Sequence, residues 1–251
     1  MKIDFIEPGP ALLVENTKKV LVIADLHLGI ESDLAQHGIH FSSRSGARAA
    51  RVRDCIRETD PELLVLLGDV KHSIPLLSWQ EYRELPEIFE EFRRLVPMAV
   101  LPGNHDIGIE RFLNEGEVQK KEGVVIDGVG YLHGHTRPDP SLCGHLILAG
   151  HHHPLASLRD DVGCSLRAPA YLLASVTNSC LGLPPEKEGC EPTRVMFMPA
   201  FNELSGYDLL KIVKDPFSPL SRCMDVATSE VFLTDGTYLG PLSSLEEDGR
   251  D

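Results

Sequence analysis

Over its first 155 residues the chain alternates short apolar runs with segments of helical period. Val20-Leu21-Val22-Ile23-Ala24 has the length and β-branched content of a buried strand. Residues 46–59 are rich in helix formers and stop before Asp60-Pro61, since the residue ahead of a proline is pushed out of the α region. Leu63-Leu64-Val65-Leu66-Leu67 reads as a second strand, and residues 78–95 as an amphipathic helix capped by Ser78. Pro86 is expected to kink or split that helix. Residues 98–101, 124–126, 129–132 and 146–149 follow as strands with tight glycine turns. The order β-α-β-α-β and then consecutive strands implies α/β layering that passes into a second, more antiparallel sheet. Beyond residue 155 the pattern is mostly β, at 170–176, 195–198, 231–233 and 237–239. The stretch 181–193 is turn-rich and predicts a surface loop, and the acidic end predicts a frayed tail. With no repeat, low-complexity block or linker, one domain is expected over 1–251: core motifs in 20–155, a β-rich remainder in 156–240 and a tail in 241–251.

Composition narrows this picture. The 251 residues are 42% hydrophobic and 25% charged, an ordinary globular mixture. No apolar run approaches the ~20 residues that span a bilayer, and the first residues lack the pattern of a secretory signal. A balance of 24 basic against 38 acidic residues, net −14, argues against sequence-blind coating of nucleic acid. It leaves room for an enzyme whose positive charge comes from bound metal. The six cysteines (Cys55, Cys143, Cys164, Cys180, Cys190, Cys223) form no CxxC pair and are read as reduced thiols of a cytoplasmic protein, without a disulfide framework.

The chemistry gathers where strands end. Five apolar runs lead into Asp25-Leu26-His27, Gly68-Asp69, Gly103-Asn104-His105-Asp106, His133-Gly134-His135 and Gly150-His151-His152-His153. In layered α/β folds the loops at the carboxyl ends of strands converge on ligands. Asp, Asn and His without Cys suit divalent, borderline-hard cations rather than a structural thiolate site. Alternation along an extended strand end would point Asp25 and His27 the same way, and likewise His151 and His153, with His152 turned elsewhere. Asp25, His27, Asp69, Asn104, His133, His151 and His153 are too many donors for one four-coordinate ion. They suffice for two ions sharing a carboxylate, the ~3.5–4 Å arrangement that clamps the oxygens of a phosphoryl displacement. Any one of these motifs alone is ordinary turn chemistry or a surface histidine; their conjunction at successive strand ends carries the argument.

In this order the five blocks resemble the calcineurin-like metallophosphoesterase superfamily. Gly68-Asp69-Val70-Lys71-His72, His133-Gly134-His135-Thr136-Arg137-Pro138, Gly150-His151-His152-His153-Pro154 and Met198-Pro199-Ala200-Phe201 resemble a narrower branch. That branch holds SbcD-related archaeal phosphoesterases and the bacterial ligase-associated DNA-repair endonucleases. The resemblance implies a four-layer α/β/β/α sandwich of two mixed sheets flanked by helices. It also implies that Asp25, His27 and His153 hold one metal, that Asn104, His133 and His151 hold the other, and that Asp69 bridges them. His105 is then the general acid over the substrate phosphate, oriented by Asp106, and a metal-bridging hydroxide attacks phosphorus. Manganese is the first choice of metal, with Fe, Zn or Ni admitted.

The implied activity is hydrolysis of phosphodiesters, as a nuclease on DNA, and the net charge leaves single-stranded or short nucleic acid open as the partner. Cyclic or small nucleotides, or a silent metal-binding scaffold in a repair complex, are the alternatives. The strand end and the resemblance both favour His133 over His135 as ligand, leaving His135 and Arg137 as candidate substrate contacts. Lys71 and His72 could reach the cleft rim or form a solvated loop. Arg44, Arg48 and Arg51 share one helical face, and pairing with acidic neighbours is favoured over polyanion binding. Trp79, the only tryptophan, is expected to pack on the sheet.

Overall fold

The apolar pattern left the first two strands unmarked: β1 (Lys2–Ile6) and β2 (Ala11–Glu15) form an antiparallel hairpin around Glu7-Pro8-Gly9-Pro10. In the computed structural model, residues 1–159, 165–185 and 192–247 are described. Cys164, Cys190, the end of the tail and part of the 181–193 loop lie outside the described residues. After the hairpin come β3 (Lys19–Ile23), α1 (Ile30–Gln36), α2 (Ser45–Thr59), β4 (Leu63–Leu66), α3 (Trp79–Arg93) and β5 (Met98–Val100). Strands β3, β4 and β5 run parallel, and the first sheet has the order β1-β2-β3-β4-β5. Next follow β6 (Val124–Ile126), β7 (Val129–Leu132), β8 (Leu146–Ala149), β9 (Pro154–Arg159), β10 (Ser165–Val176), β11 (Arg194–Phe197), β12 (Tyr207–Asp208), β13 (Met224–Leu233) and β14 (Tyr238–Pro241). These build the second sheet, in which β7, β8 and β11 are mutually parallel and β10 lies antiparallel to β9, β11 and β13.

Both faces of the first sheet are buried, which is why its strands read as continuous apolar runs. Leu12, Val14, Val20, Val22, Val65 and Leu67 face the second sheet, whereas Leu21, Ile23, Leu64 and Leu66 pack on α2 and α3. Short helices bury Leu181, Leu209, Leu220 and Leu242 in the core that contains the second sheet, and the expected α/β/β/α order results. Each fully buried aliphatic side chain contributes about 1.5–3 kcal/mol, so the strand ends rest on a stiff base.

Three expectations change. Pro86 does not split α3: it lies on the exposed side of an unbroken helix, where water can take up the carbonyl its missing N–H would have bonded. A capping box at the start and the buried stripe Leu85, Ile88, Phe89, Phe92 hold the helix in register. Trp79 is 74% exposed and stacks on Tyr82, not on the sheet, because it is the first residue of α3 and faces away from that stripe. Cys180 and Cys223 form a disulfide with Cα atoms 5.6 Å apart. Their 43-residue separation hides the pair in sequence; the helical turn Asn178–Leu181 and the start of β13 bring them together. Cys55 and Cys143 are free thiols, as expected. No helix among the described residues is long and apolar enough to cross a membrane.

Candidate metal centre

All five polar blocks emerge at the carboxyl ends of β3, β4, β5, β7 and β8, where the two sheets meet. The parallel pairing of β3 and β4 continues past the strands: Asp25 N donates to Gly68 O, His27 N to Asp69 O and Leu28 N to Val70 O. Asp25, His27, Asp69, His151 and His153 all have positive φ, between 43° and 71°. Only Asp60 and Asp127 share that conformation among the other described non-glycine residues. The left-handed region costs such residues of order 1–3 kcal/mol each, so surrounding structure must hold them there. The extended-strand argument for Asp25 with His27, and for His151 with His153, therefore gives way to a different geometry. Asp25 and His27 do converge, but His151 and His153 join different groups of donors.

Two groups of the expected ligands result, and Asp69 belongs to both; His27, His72 and His105 form a third set of neighbouring donors. Asp25, His27, Asp69 and His153 offer donor atoms all within 4.8 Å of one another, and so do Asp69, His133 and His151. His153 Nε2 stands 3.1 Å from Asp25 Oδ1 and 3.4 Å from His27 Nε2. His133 Nε2 lies 3.5 Å from Asp69 Oδ1 and 3.2 Å from Asn104 Oδ1, which adds Asn104 to the second group. His133 Nδ1 is fixed by donation to the Leu67 carbonyl at 2.8 Å, leaving Nε2 to face the cleft. Glycine is required beside these donors: a Cβ on Gly150 would come 2.6 Å from Asp25 Oδ2, and one on Gly103 would overlap the Asp69 carboxylate.

Electrostatics fit a cation here. Burial pushes His151 down to about 2 and His27 well below its usual range, so both present neutral imidazole. His133 is also fully buried, yet the carboxylates of Asp69 and Asp25 overcome that burial and raise it to about 9. The Asp69 carboxyl is held well below its ordinary value; its burial is outweighed by the surrounding histidines, His133 foremost. Neutral imidazoles crowded around carboxylates that draw positive charge make a donor set that suits two divalent ions.

His105 sits beside this set. Its backbone N–H donates to Asp69 Oδ1 at 2.9 Å, and its ring packs 5.0 Å from that of His27. The ring is not oriented by Asp106. That carboxylate is buried and accepts the backbone N–H groups of Val70, Lys71 and Gly103 at 2.8–3.1 Å, which locks two strand-end loops together. Burial, with Asp69 second, pushes Asp106 up to about 6. The Nδ1 of His105 instead donates to the His72 carbonyl. His72, whose part the sequence left open, stacks on His105 at 5.2 Å and places Nδ1 3.1 Å from His27 Nδ1. Lys71 is not at a rim: its side chain is buried and its ammonium donates to the Ser73 carbonyl.

His135 stays outside both donor groups, 5.2 Å from the ring of His133, and burial lowers it to about 4. Arg137 is exposed and donates to the Leu181 carbonyl at 3.3 Å; the turn after His135 carries it toward that helical turn. His152 turns away as expected, with Nε2 2.7 Å from Ser218 Oγ between Phe197 and Phe217. Sequence reasoning missed Asn202, whose buried amide donates to the carbonyls of Leu26 and His27, while Asn202 N donates to Asp25 O. The signal was its place directly after Met198-Pro199-Ala200-Phe201, a segment that ties the second sheet to the first donor block.

Comparison with known proteins extends this picture. The solved structure of the Pseudomonas putida nuclease MPE is similar at TM-score 0.53 and 20% identity, over 93% of this chain and 96% of that one, a likeness of fold. The E. coli phosphoesterase Yfce gives TM-score 0.37 and 16% identity, over 62% of this chain and 90% of that one. A family model described as calcineurin-like phosphoesterase matches residues 18–164, more than half of the chain and every strand end that feeds the cleft. The chain belongs to the calcineurin-like phosphoesterase family and is a metal-dependent hydrolase of phosphoester bonds.

Proposed function

We propose that this hydrolase is a phosphodiesterase of the nuclease type, acting on single-stranded or short DNA with manganese as its preferred metal. The observation that carries the reading is the pair of donor groups sharing Asp69, with His105 beside them. Asp25, His27 and His153 with Asp69 would hold one cation, and Asn104, His133 and His151 with Asp69 the other. Bound there, two divalent ions supply an acidified water and charge neutralisation for the phosphoryl oxygens. The residues do the rest. Burial keeps His27 and His151 unprotonated and available as donors at neutral pH. His105, with Nδ1 committed to the His72 carbonyl, presents Nε2 to a substrate; a proton held there passes to the leaving oxygen. Asp106 and Asn202 position the loops that bring these groups together without touching substrate.

The preference for DNA is supported by the branch resemblance and by the fold likeness to a protein described as a nuclease. Net charge −14 favours short or single-stranded substrates over a long duplex, which an acidic surface repels. The test is hydrolysis of bis-p-nitrophenyl phosphate with Mn²⁺, followed by a panel of single-stranded DNA, duplex, RNA and cyclic nucleotides. Release from the chromogenic diester and preferential cutting of single-stranded DNA are expected. Turnover of cyclic nucleotides alone would overturn the nuclease reading, and no turnover with any divalent metal would overturn the catalytic one.

A further inference from the structure

A cavity of about 400 Å³ opens beside the cleft and shares the rings of His72 and His105 with it. Its wall is the loop His72–Ser78, and this loop is braced: the Glu81 carboxylate accepts the backbone N–H groups of His72, Ser73 and Ser78 at 2.6–2.9 Å. The cavity is thus formed before any ligand arrives. Along its rim and the helix that follows, large apolar side chains face water: Leu76 is 79% exposed, Trp79 74% and Tyr82 61%. The rings of Trp79 and Tyr82 stand 6.1 Å apart and nearly parallel, at 23°. A cluster of this kind on an otherwise acidic protein marks a contact surface.

The lining decides what fits. Asp33, Gln36, Ser73 and Ser78 offer hydrogen-bonding groups, and no lysine or arginine is among the lining residues. A phosphate is therefore disfavoured inside, next to the Asp33 carboxylate. A neutral, flat heterocycle with donor and acceptor edges is favoured, and the volume lies in the range of small-molecule pockets, about 300–1,000 Å³. In the function proposed above His105 faces the leaving oxygen, and the cavity that its ring lines opens on that side.

Resting on the nuclease reading above, we propose that this cavity seats the base of the nucleotide on the leaving-group side of the scissile phosphate, with Leu76, Trp79 and Tyr82 as a stacking surface for the strand beyond it. Stacking on aromatic side chains is insensitive to sequence and does not need a positive field, which suits the acidic surface.

Two 20-mers test this, (dT)20 and a strand of the same length in which every nucleotide is abasic. Wild-type protein with Mn²⁺ is expected to cleave (dT)20 with a kcat/KM about tenfold or more above the abasic strand. Leu76→Ser and Trp79→Ala are expected to bring the two strands within about threefold by lowering the (dT)20 value alone. Both positions are exposed, so folding is not at risk. Because Trp79 is the only tryptophan, (dT)20 is also expected to quench the protein's tryptophan emission while the abasic strand does not. Equal cleavage of the two strands by wild type leaves the nuclease reading standing and overturns this inference. Cleavage of neither, with bis-p-nitrophenyl phosphate still hydrolysed, overturns both. Sedimentation showing a dimer that Leu76→Ser abolishes, with strand preference unchanged, assigns the patch to a second copy and overturns the inference.

Discussion

Two buried polar regions of this protein look alike in composition and behave oppositely. At the start of α2, Arg48 is fully buried and pairs with Glu31 at 2.8 Å and Glu203 at 3.0 Å, while Arg44 and Arg51 converge on the same Glu203. Glu31 also accepts from the Gln80 amide at 3.0 Å. Arginines and glutamates there meet one another as ion pairs on backbone of negative φ, so the charges are paired without any added ion. At the strand ends, imidazole nitrogens face one another and carboxylates that draw positive charge, on five residues held in left-handed backbone. That region is complete only with something added. Burial and charge mark both places, whereas unmet demand with backbone strain marks only the one that carries chemistry.

The largest effect should come from the residue the two donor groups share. Asp69→Asn keeps the shape but removes the charge that would bridge two cations, and kcat is expected to fall by ~10³-fold or more with metal content reduced, read by steady-state kinetics and elemental analysis. Full activity in that variant would reduce the strand-end region to the status of the Arg48 network. His105→Ala is expected to cost ~10²–10⁴-fold while metal content stays unchanged. The loss should be greater on DNA than on bis-p-nitrophenyl phosphate, whose good leaving group needs less protonation. Loss of metal instead would make His105 a ligand.

The strand-end region is legible in the amino-acid sequence because its signal is local. An apolar run marks a strand, and a polar cluster directly after it, such as Gly68-Asp69, marks the end. What stays illegible depends on distance or conformation. Nothing in the spacing of Asp25 and His27 announces positive φ, so period-2 alternation gives the right meeting by the wrong geometry. Asp106 follows His105 in sequence and is expected to orient it, but the loop turns so that the His72 carbonyl, 33 residues away, takes that part. The Arg48 network is foreseeable as pairing, though not its partner: Glu203 lies 155 residues away. The Cys180–Cys223 disulfide is unreadable for the same reason.

Arg48→Met leaves Glu31 buried without its partner, and removing one member of a buried pair costs about 3–5 kcal/mol. Urea denaturation should show a loss of that size, with kcat on bis-p-nitrophenyl phosphate unchanged under folding conditions. Adding Glu31→Gln should recover part of the loss by removing the stranded charge. A collapse of kcat in the folded single variant would mean that the network serves the cleft and that the two regions are one.

His152 stands between the two kinds of region: it lies between two strained donors, yet its own side chain is satisfied by Ser218. Burial, with His133 and His153 adding repulsion, pushes it down to about 3, against ~6.5 for an unfolded histidine. Between those values the unfolded chain binds a proton that the native one refuses. Stability contributed by the neutral ring is therefore fully present above pH ~6.5 and falls as pH drops, by about 1.4 kcal/mol per pH unit from this residue, levelling near pH 3. In metal-free protein, urea midpoints from pH 7.5 to 4.5 should fall more steeply for wild type than for His152→Gln, which can still bond Ser218 but cannot titrate. The difference in slope isolates His152 from the other buried histidines. Identical slopes would mean that its ring is charged or hydrated in the native state, and that the satisfied and unsatisfied regions are not separated even by one residue.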